Sequence, residues 1–357
     1  MTIALPASWL LAHRLASRLV PEAPWSESEL PAIPAPVENG LDDVVLPGSS
    51  ALATLDPALQ PLVRPLERVT PDSRWQELVR RREELRAWLA ADAALRERDL
   101  ARIDAVLAAP HFADPCASVG SDCRWVSLVN FARVAMAADL DAALRGDWSR
   151  AFLRAHALQL ASNELLASAR ATVANMIALV LAHMATDHLR VLVAGYRAAA
   201  AEDAVRAELR PTLDASMESL STVRREDVSA RRAVIAECLW LRAGILPVLE
   251  DPGANGAWGG FVAPYLVDVH GTVAALDAHF VALMRWVEAP DHATRAPPPA
   301  RVYASGPAWW LWNPVGKTVL DLGGFDFATV IRRLDTSADE LFVSRAALRG
   351  ELRALLP

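Results

Sequence analysis

Lysine is nearly missing from this sequence: Lys317 is the only one among 36 lysines and arginines. Its scarcity removes Schiff-base and related lysine chemistry from every position but that one. The net charge is −7 and the isoelectric point about 5.7. Binding to phosphate backbones needs clustered cations, so a nucleic-acid partner is excluded as a reading.

Cysteine is scarce as well. Cys116, Cys123 and Cys238 are the three. The first two flank a short Pro/Gly/Ser-bearing stretch, where three readings stay open. They are unpaired small residues, or a short disulfide loop that implies an oxidising compartment, or part of a zinc site that would need more ligands nearby.

The chain also lacks recognisable catalytic signatures. There is no HExxH and no pair of carboxylate-xx-His motifs of the di-metal bundle type. No G-x-S-x-G elbow occurs, and Pro314 stands where an S-x-x-K serine would precede Lys317. Gly316-Lys317-Thr318 has the ending of a phosphate loop, but Leu311 occupies the place of its first glycine and no strand precedes it. Neither a cofactor nor a metal is implied, and the enzyme question leans towards no.

No run is apolar enough to be read as membrane-spanning. The best one, 174–193, is interrupted by His183, Asp187, His188 and Arg190. Residues 3–20 are apolar, carry His13, Arg14 and Arg18, and precede the first acid at Glu22. They read as a docking helix or as a peripheral contact with a membrane surface.

What is present is apolar helical sequence. Hydrophobic residues make up 53% of the 357, above the roughly 45–50% of ordinary globular chains. Prolines punctuate 21–71 densely, so that stretch reads as an extended arm after the first helix. From Asp72, a plausible N-cap, apolar residues recur at three- and four-residue steps. The spacing predicts helices near 72–90 and 92–109, and then near 123–145, 148–168 and 170–197. Pro211 breaks the 200–223 stretch in this reading. Further helices are predicted from Asp227 or Ser229 to about 243, and near 264–288, 314–322, 325–335 and 337–355. Asp335, Thr336 or Ser337 would cap the last of these. Alternating β-type runs are missing. The class is therefore all-α: an irregular helical bundle or short α-superhelix with a Pro-rich N-terminal arm. Residues 1–71 form the arm and 72–357 one helical domain, with a possible subdivision near 251–262.

Three groups of residues stand out. Gly146-Asp147-Trp148, within Arg145–Ala151, resembles the turn inside a tetratricopeptide repeat, where a small residue lets two helices approach and an aromatic packs between them. A second copy at 34-residue spacing is not found, which leaves a generic helical hairpin or a degenerate repeat. Trp309, Trp310 and Trp312, with Lys317, form the densest aromatic stretch and read as a core closure or as a partner surface. The 160–190 segment carries polar residues among apolar ones. Glu164, Ser168, Thr172 and Asn175 follow four-, four- and three-residue steps and would share one face. His183 and Asp187 share another. With His270 they would make a metal or acid–base site if they converged; the plainer reading is satisfied polar contacts. The candidate core site is Glu164, Asn175, His183 and His270.

Glu38-Asn39-Gly40, the Gly146-Asp147-Trp148 turn and Asn313-Pro314-Val315-Gly316-Lys317, in that order, resemble a set of uncharacterised proteobacterial helical proteins. The resemblance implies an N-terminal membrane anchor and a soluble domain outside the cytoplasm, and it supplies no reaction. It favours a periplasmic or inner-membrane-associated location over a cytoplasmic one.

Two functions follow as expectations. The first is a non-catalytic interaction or scaffold protein that takes a protein or peptide partner in a helical groove. The alternative is an enzyme or small-molecule binder with a polar site in the helical core.

Overall fold

The computed structural model describes residues 19–31, 38–46, 52–66, 69–115, 123–199, 203–250, 268–290, 294–298, 320 and 327–356. Among them the chain forms eleven α-helices and no β-strand, one isolated bridge between Asn39 and His111 aside. The helices are α1 (Asp42–Val45), α2 (Pro71–Arg80), α3 (Arg82–Ala90), α4 (Ala93–Leu107), α5 (Trp125–Leu144), α6 (Trp148–Ser168), α7 (Thr172–Ala198), α8 (Asp203–Ser219), α9 (Ala230–Glu250), α10 (Val269–Val287) and α11 (Phe327–Arg353). The fold is an all-α bundle.

Two compact units divide the chain. The larger comprises Pro31–Ala117, Ser121–Ser229 and Leu334–Pro357; the smaller comprises Met1–Leu30, Ser118–Gly120 and Ala230–Arg333. The proline-rich segment had pointed to a boundary near 71, but most of it belongs with the larger unit. The hydrogen bonds show why. Asn39 donates to the Ala113 carbonyl, the Ala53 N–H reaches Asp99, and the Leu66 N–H reaches Asp187. Where the segment is not helical its backbone must be satisfied elsewhere, and at Ala53 and Leu66 carboxylates of two helices do so.

In the larger unit α7 is the central helix, packed against α2, α5 and α6. Its length and hydropathy would allow it to cross a membrane, yet 72% of its most apolar window is buried inside the fold. The turn from α5 to α6 behaves as its sequence suggests. Gly146 has φ +85°, the left-handed region where a Cβ is strained. The N–H groups of Gly146 and Asp147 return to the carbonyls of Ala143 and Ala142. Asp147 then caps α6 by accepting from the Arg150 N–H at 3.2 Å. Trp148 packs 5.6 Å from Trp75 of α2 and edge-on to Tyr196 of α7 at 5.5 Å. Gly195 permits this approach, because a Cβ there would lie 2.5 Å from the Trp75 ring.

The smaller unit is built on α9 packed against α10. Its core gathers Val234, Ile235 and Cys238 with Leu276, Phe280 and Leu283. A buried ion pair of this unit joins Arg242 of α9 to Asp277 of α10. Arg231 spans Glu29 and Glu288.

Several boundaries differ from the sequence reading. Thr70 rather than Asp72 caps α2, accepting from the Ser73 N–H, with Pro71 in the first turn. Pro211 and Pro247 lie inside α8 and α9 without ending them. The carbonyls each would orphan belong to Ala207 and Ala243, both exposed residues whose backbone water can reach. Finally α11 runs unbroken through 335–337, where a cap was expected. Asp335 is engaged with Arg225 at 3.2 Å.

Candidate functional site

Among the sequence-predicted residues, His183 lines a groove of the larger unit. This groove, of about 1030 Å³, lies between residues 65–66 and 69–71, α7 and α11. One row of α7, His183, Asp187 and Arg190, forms its floor at helical spacing. Each member of the row holds a wall in place. His183 Nε2 donates to the Ser337 carbonyl at 2.8 Å. Buried Asp187 accepts from the Leu66 N–H at 2.8 Å and from the Ser344 hydroxyl at 2.7 Å. Arg190 grips Glu351 through Nε and Nη2 at 3.1 and 2.9 Å. Charge-assisted bonds of this kind fix geometry. The same commitment leaves these groups occupied by the protein itself.

The apolar side chains around that floor are open to solvent. Val69 is 42% exposed, Val180 39% and Val343 72%. On α11 the groove-facing residues Ser337, Glu340, Val343, Ser344 and Ala347 follow three- and four-residue steps. Glu340 is exposed and has no hydrogen bond or ion pair among the described residues. The opposite face of α11 enters the core through Leu334, Ala338, Leu341, Leu348 and Leu352, with Arg345 in the middle of the row.

Arg345 is 2% exposed, and its Nη2 bonds Asn163 Oδ1. Its Nε and Nη1 find no partner among the described residues. Burial without a carboxylate pushes its guanidinium down to about 10.

A second buried polar cluster ties α5, α6, α7 and α4. Asp139 is fully buried and accepts from Arg154 Nη1 at 2.9 Å and from His188 Nε2 at 3.2 Å. Arg154 also holds Asp104 with Nε and Nη2 at 2.7 and 3.1 Å. Desolvation pushes the Asp139 carboxyl up, against its bonds to His188 and Arg154.

The four residues of the expected core site are each engaged by a different partner. Glu164 lies on α6, 3.4 Å from His111 Nδ1, and lines a separate concavity of about 440 Å³ with Leu107, Phe112 and Leu160. Asn175 caps the bend between α6 and α7, donating to the Ala171 and Arg170 carbonyls at 2.9 and 3.3 Å. That bend, extended at Ala169 and Ala171, also corrects the expectation of one face. Glu164 and Ser168 sit on α6, Thr172 and Asn175 on α7. His183 serves the groove, and His270, in the smaller unit, bonds the Leu19 carbonyl at 2.8 Å. Among the described residues no group of three or more His, Cys, Asp or Glu is placed to hold a metal ion. Trp309, Trp310, Trp312 and Lys317, the expected partner surface, lie outside the described residues, as do residues 3–18.

Cys123 is disulfide-bonded, Cys238 is a free buried thiol, and Cys116 lies outside the described residues. Desolvation, reinforced by neighbouring Asp277, pushes the Cys238 thiol up to about 12, which makes it unreactive.

No family model, no curated protein and no solved structure matches this chain. Its function is therefore argued from the geometry alone.

Sequence reasoning had noticed His183 and Asp187 but missed the α11 wall. Its signal was available: Val343 is an apolar residue on the otherwise polar face of a helix whose buried row is set by Leu334, Ala338, Leu341 and Leu348.

Proposed function

We propose that the chain is a non-catalytic interaction protein that receives a protein or peptide segment in the groove lined by residues 65–66 and 69–71, α7 and α11. The observation that carries this reading is the division of labour within the groove. Its titratable floor is bonded to the groove's own walls, whereas its apolar side chains are exposed. Catalysis needs polar groups free to meet a reacting atom. Docking needs apolar surface that a partner can remove from water. At about 25 cal/mol per Å², each ~100 Å² of apolar surface covered contributes about 2.5 kcal/mol before ordering costs.

The alternative, a small-molecule binder, is supported by the smaller concavity, where Glu164 and His111 meet apolar walls. The resemblance to envelope-associated helical proteins is kept as a proposal. The disulfide at Cys123 supports an oxidising compartment such as the periplasm. A peripheral membrane contact through residues 3–20 is compatible with both readings.

Affinity isolation of the protein from its native host, with mass spectrometry of retained proteins and small molecules, separates the readings. A stoichiometric protein that is retained by the wild type and by Val126→Asp, but lost with Val343→Asp, supports the groove. Val126 is 80% exposed and does not line it. A retained small molecule without a protein partner would favour the alternative.

A further inference from the structure

Resting on the docking reading, we infer that the occupant of the groove is a cationic amphipathic helical segment of another protein. This segment places an apolar anchor against Val343 and a lysine or arginine against Glu340. The argument is one of charge left over. The described charged residues lining the groove are Asp187, Arg190, Asp339 and Glu340. Asp187 lies 3.7 Å from Arg190 and accepts two further hydrogen bonds. Arg190 is held in addition by Glu351 at 2.9 Å. Asp339 accepts from Arg225 Nε at 2.7 Å. Glu340 alone has no partner among the described residues, and it stands one turn before Val343 on the same face of α11.

Among the described lining residues, an arriving anion would meet this carboxylate and no uncommitted cation. A cation would meet a partner, at the edge of apolar surface that lowers the local dielectric. The three- and four-residue spacing of the α11 wall matches the spacing of one face of a helix, so anchor and cation belong one turn apart on the partner. The chain's net charge of −7 favours the same encounter at long range.

Two fluorescent peptides of about 18 residues, five helical turns, provide the test. Both carry leucine at i, i+3, i+4 and i+7; one has lysine on its polar face and the other glutamate. Fluorescence anisotropy with the full chain at low salt is expected to show the lysine peptide bound at least about five-fold more tightly, with the preference shrinking as salt rises. Glu340→Lys should abolish the preference and Glu340→Gln should reduce it. Glu97→Lys makes the same charge change at an exposed residue outside the groove and should leave the preference in place. Equal binding of both peptides, no binding of the lysine peptide, or an equal effect of Glu97→Lys overturns the inference. None of these results touches the docking reading itself, which stands or falls on retention of the natural partner by Val126→Asp but not by Val343→Asp.

Discussion

Asp139 Oδ2 lies 3.2 Å from His188 Nε2, with both side chains almost wholly withdrawn from solvent, and the same carboxylate holds Arg154 at 2.9 Å. Removing Asp139 leaves buried His188 Nε2 without its partner and Arg154 with Asp104 as its remaining carboxylate, a loss of buried hydrogen bonds that typically costs about 1–3 kcal/mol. Asp139→Ala is therefore expected to lose stability on that scale in urea or guanidinium unfolding. A double-mutant cycle with Arg154→Met should show clear coupling, because the two side chains share the Nη1–Oδ1 bond that either change removes. Additive effects would mean that the cluster is not energetically connected.

The hinge before α6 offers a second check. Asp147→Ala removes the side chain that accepts from the Arg150 N–H, and an N-cap of this kind is worth about 1 kcal/mol. Gly195→Ala is expected to be the more harmful change, by about 1–3 kcal/mol, since its Cβ would meet the rigid Trp75 ring. Trp75→Leu should relieve the Gly195→Ala defect if that clash is its cause. Chemical denaturation of the three variants decides it.

Stability should fall with acid in the range where histidine titrates. His156 Nδ1 donates to Ser216 Oγ at 3.1 Å, the hydroxyl's own hydrogen being given to the Thr212 carbonyl. Burial lowers the pKa of His156 below 6.5, and burial does the same to His279 beside Phe280. A depressed histidine binds fewer protons folded than unfolded. Its contribution is thus fully present above pH 6.5 and is lost as pH falls through the folded value. Unfolding midpoints measured between pH 7.5 and 5 should decline, and His156→Gln should flatten part of the slope. An unchanged slope would assign the acid sensitivity to other groups.

The helical class, the α5–α6 turn and most helix positions were legible because they rest on local signals. These are three- and four-residue periodicity, a glycine that tolerates positive φ and an aspartate able to cap. Where the arm attaches was not legible, because proline density reports what a segment cannot form, not what it lies against; its attachment runs through Asn39, Ala53 and Leu66 to residues distant in sequence. Pro211 and Asp335 were read as breaks for the same reason, since solvent at Ala207 and the guanidinium of Arg225 are tertiary facts. Among site residues, His183 and Asp187 were visible as polar positions in an apolar helix. Their role as struts for two walls was not, nor was the pairing of Asp139 with Arg154 and His188, which joins three helices.

The most direct test of the groove's role is a photo-crosslinking residue placed at Val343 in the full chain, expressed in its native host, with the same residue at Val126 as the comparison. The account predicts one discrete protein adduct at position 343 that is lost when Val180→Asp is added, and no such adduct at position 126. No adduct at 343, the same adduct at both positions, or one indifferent to Val180→Asp would contradict it.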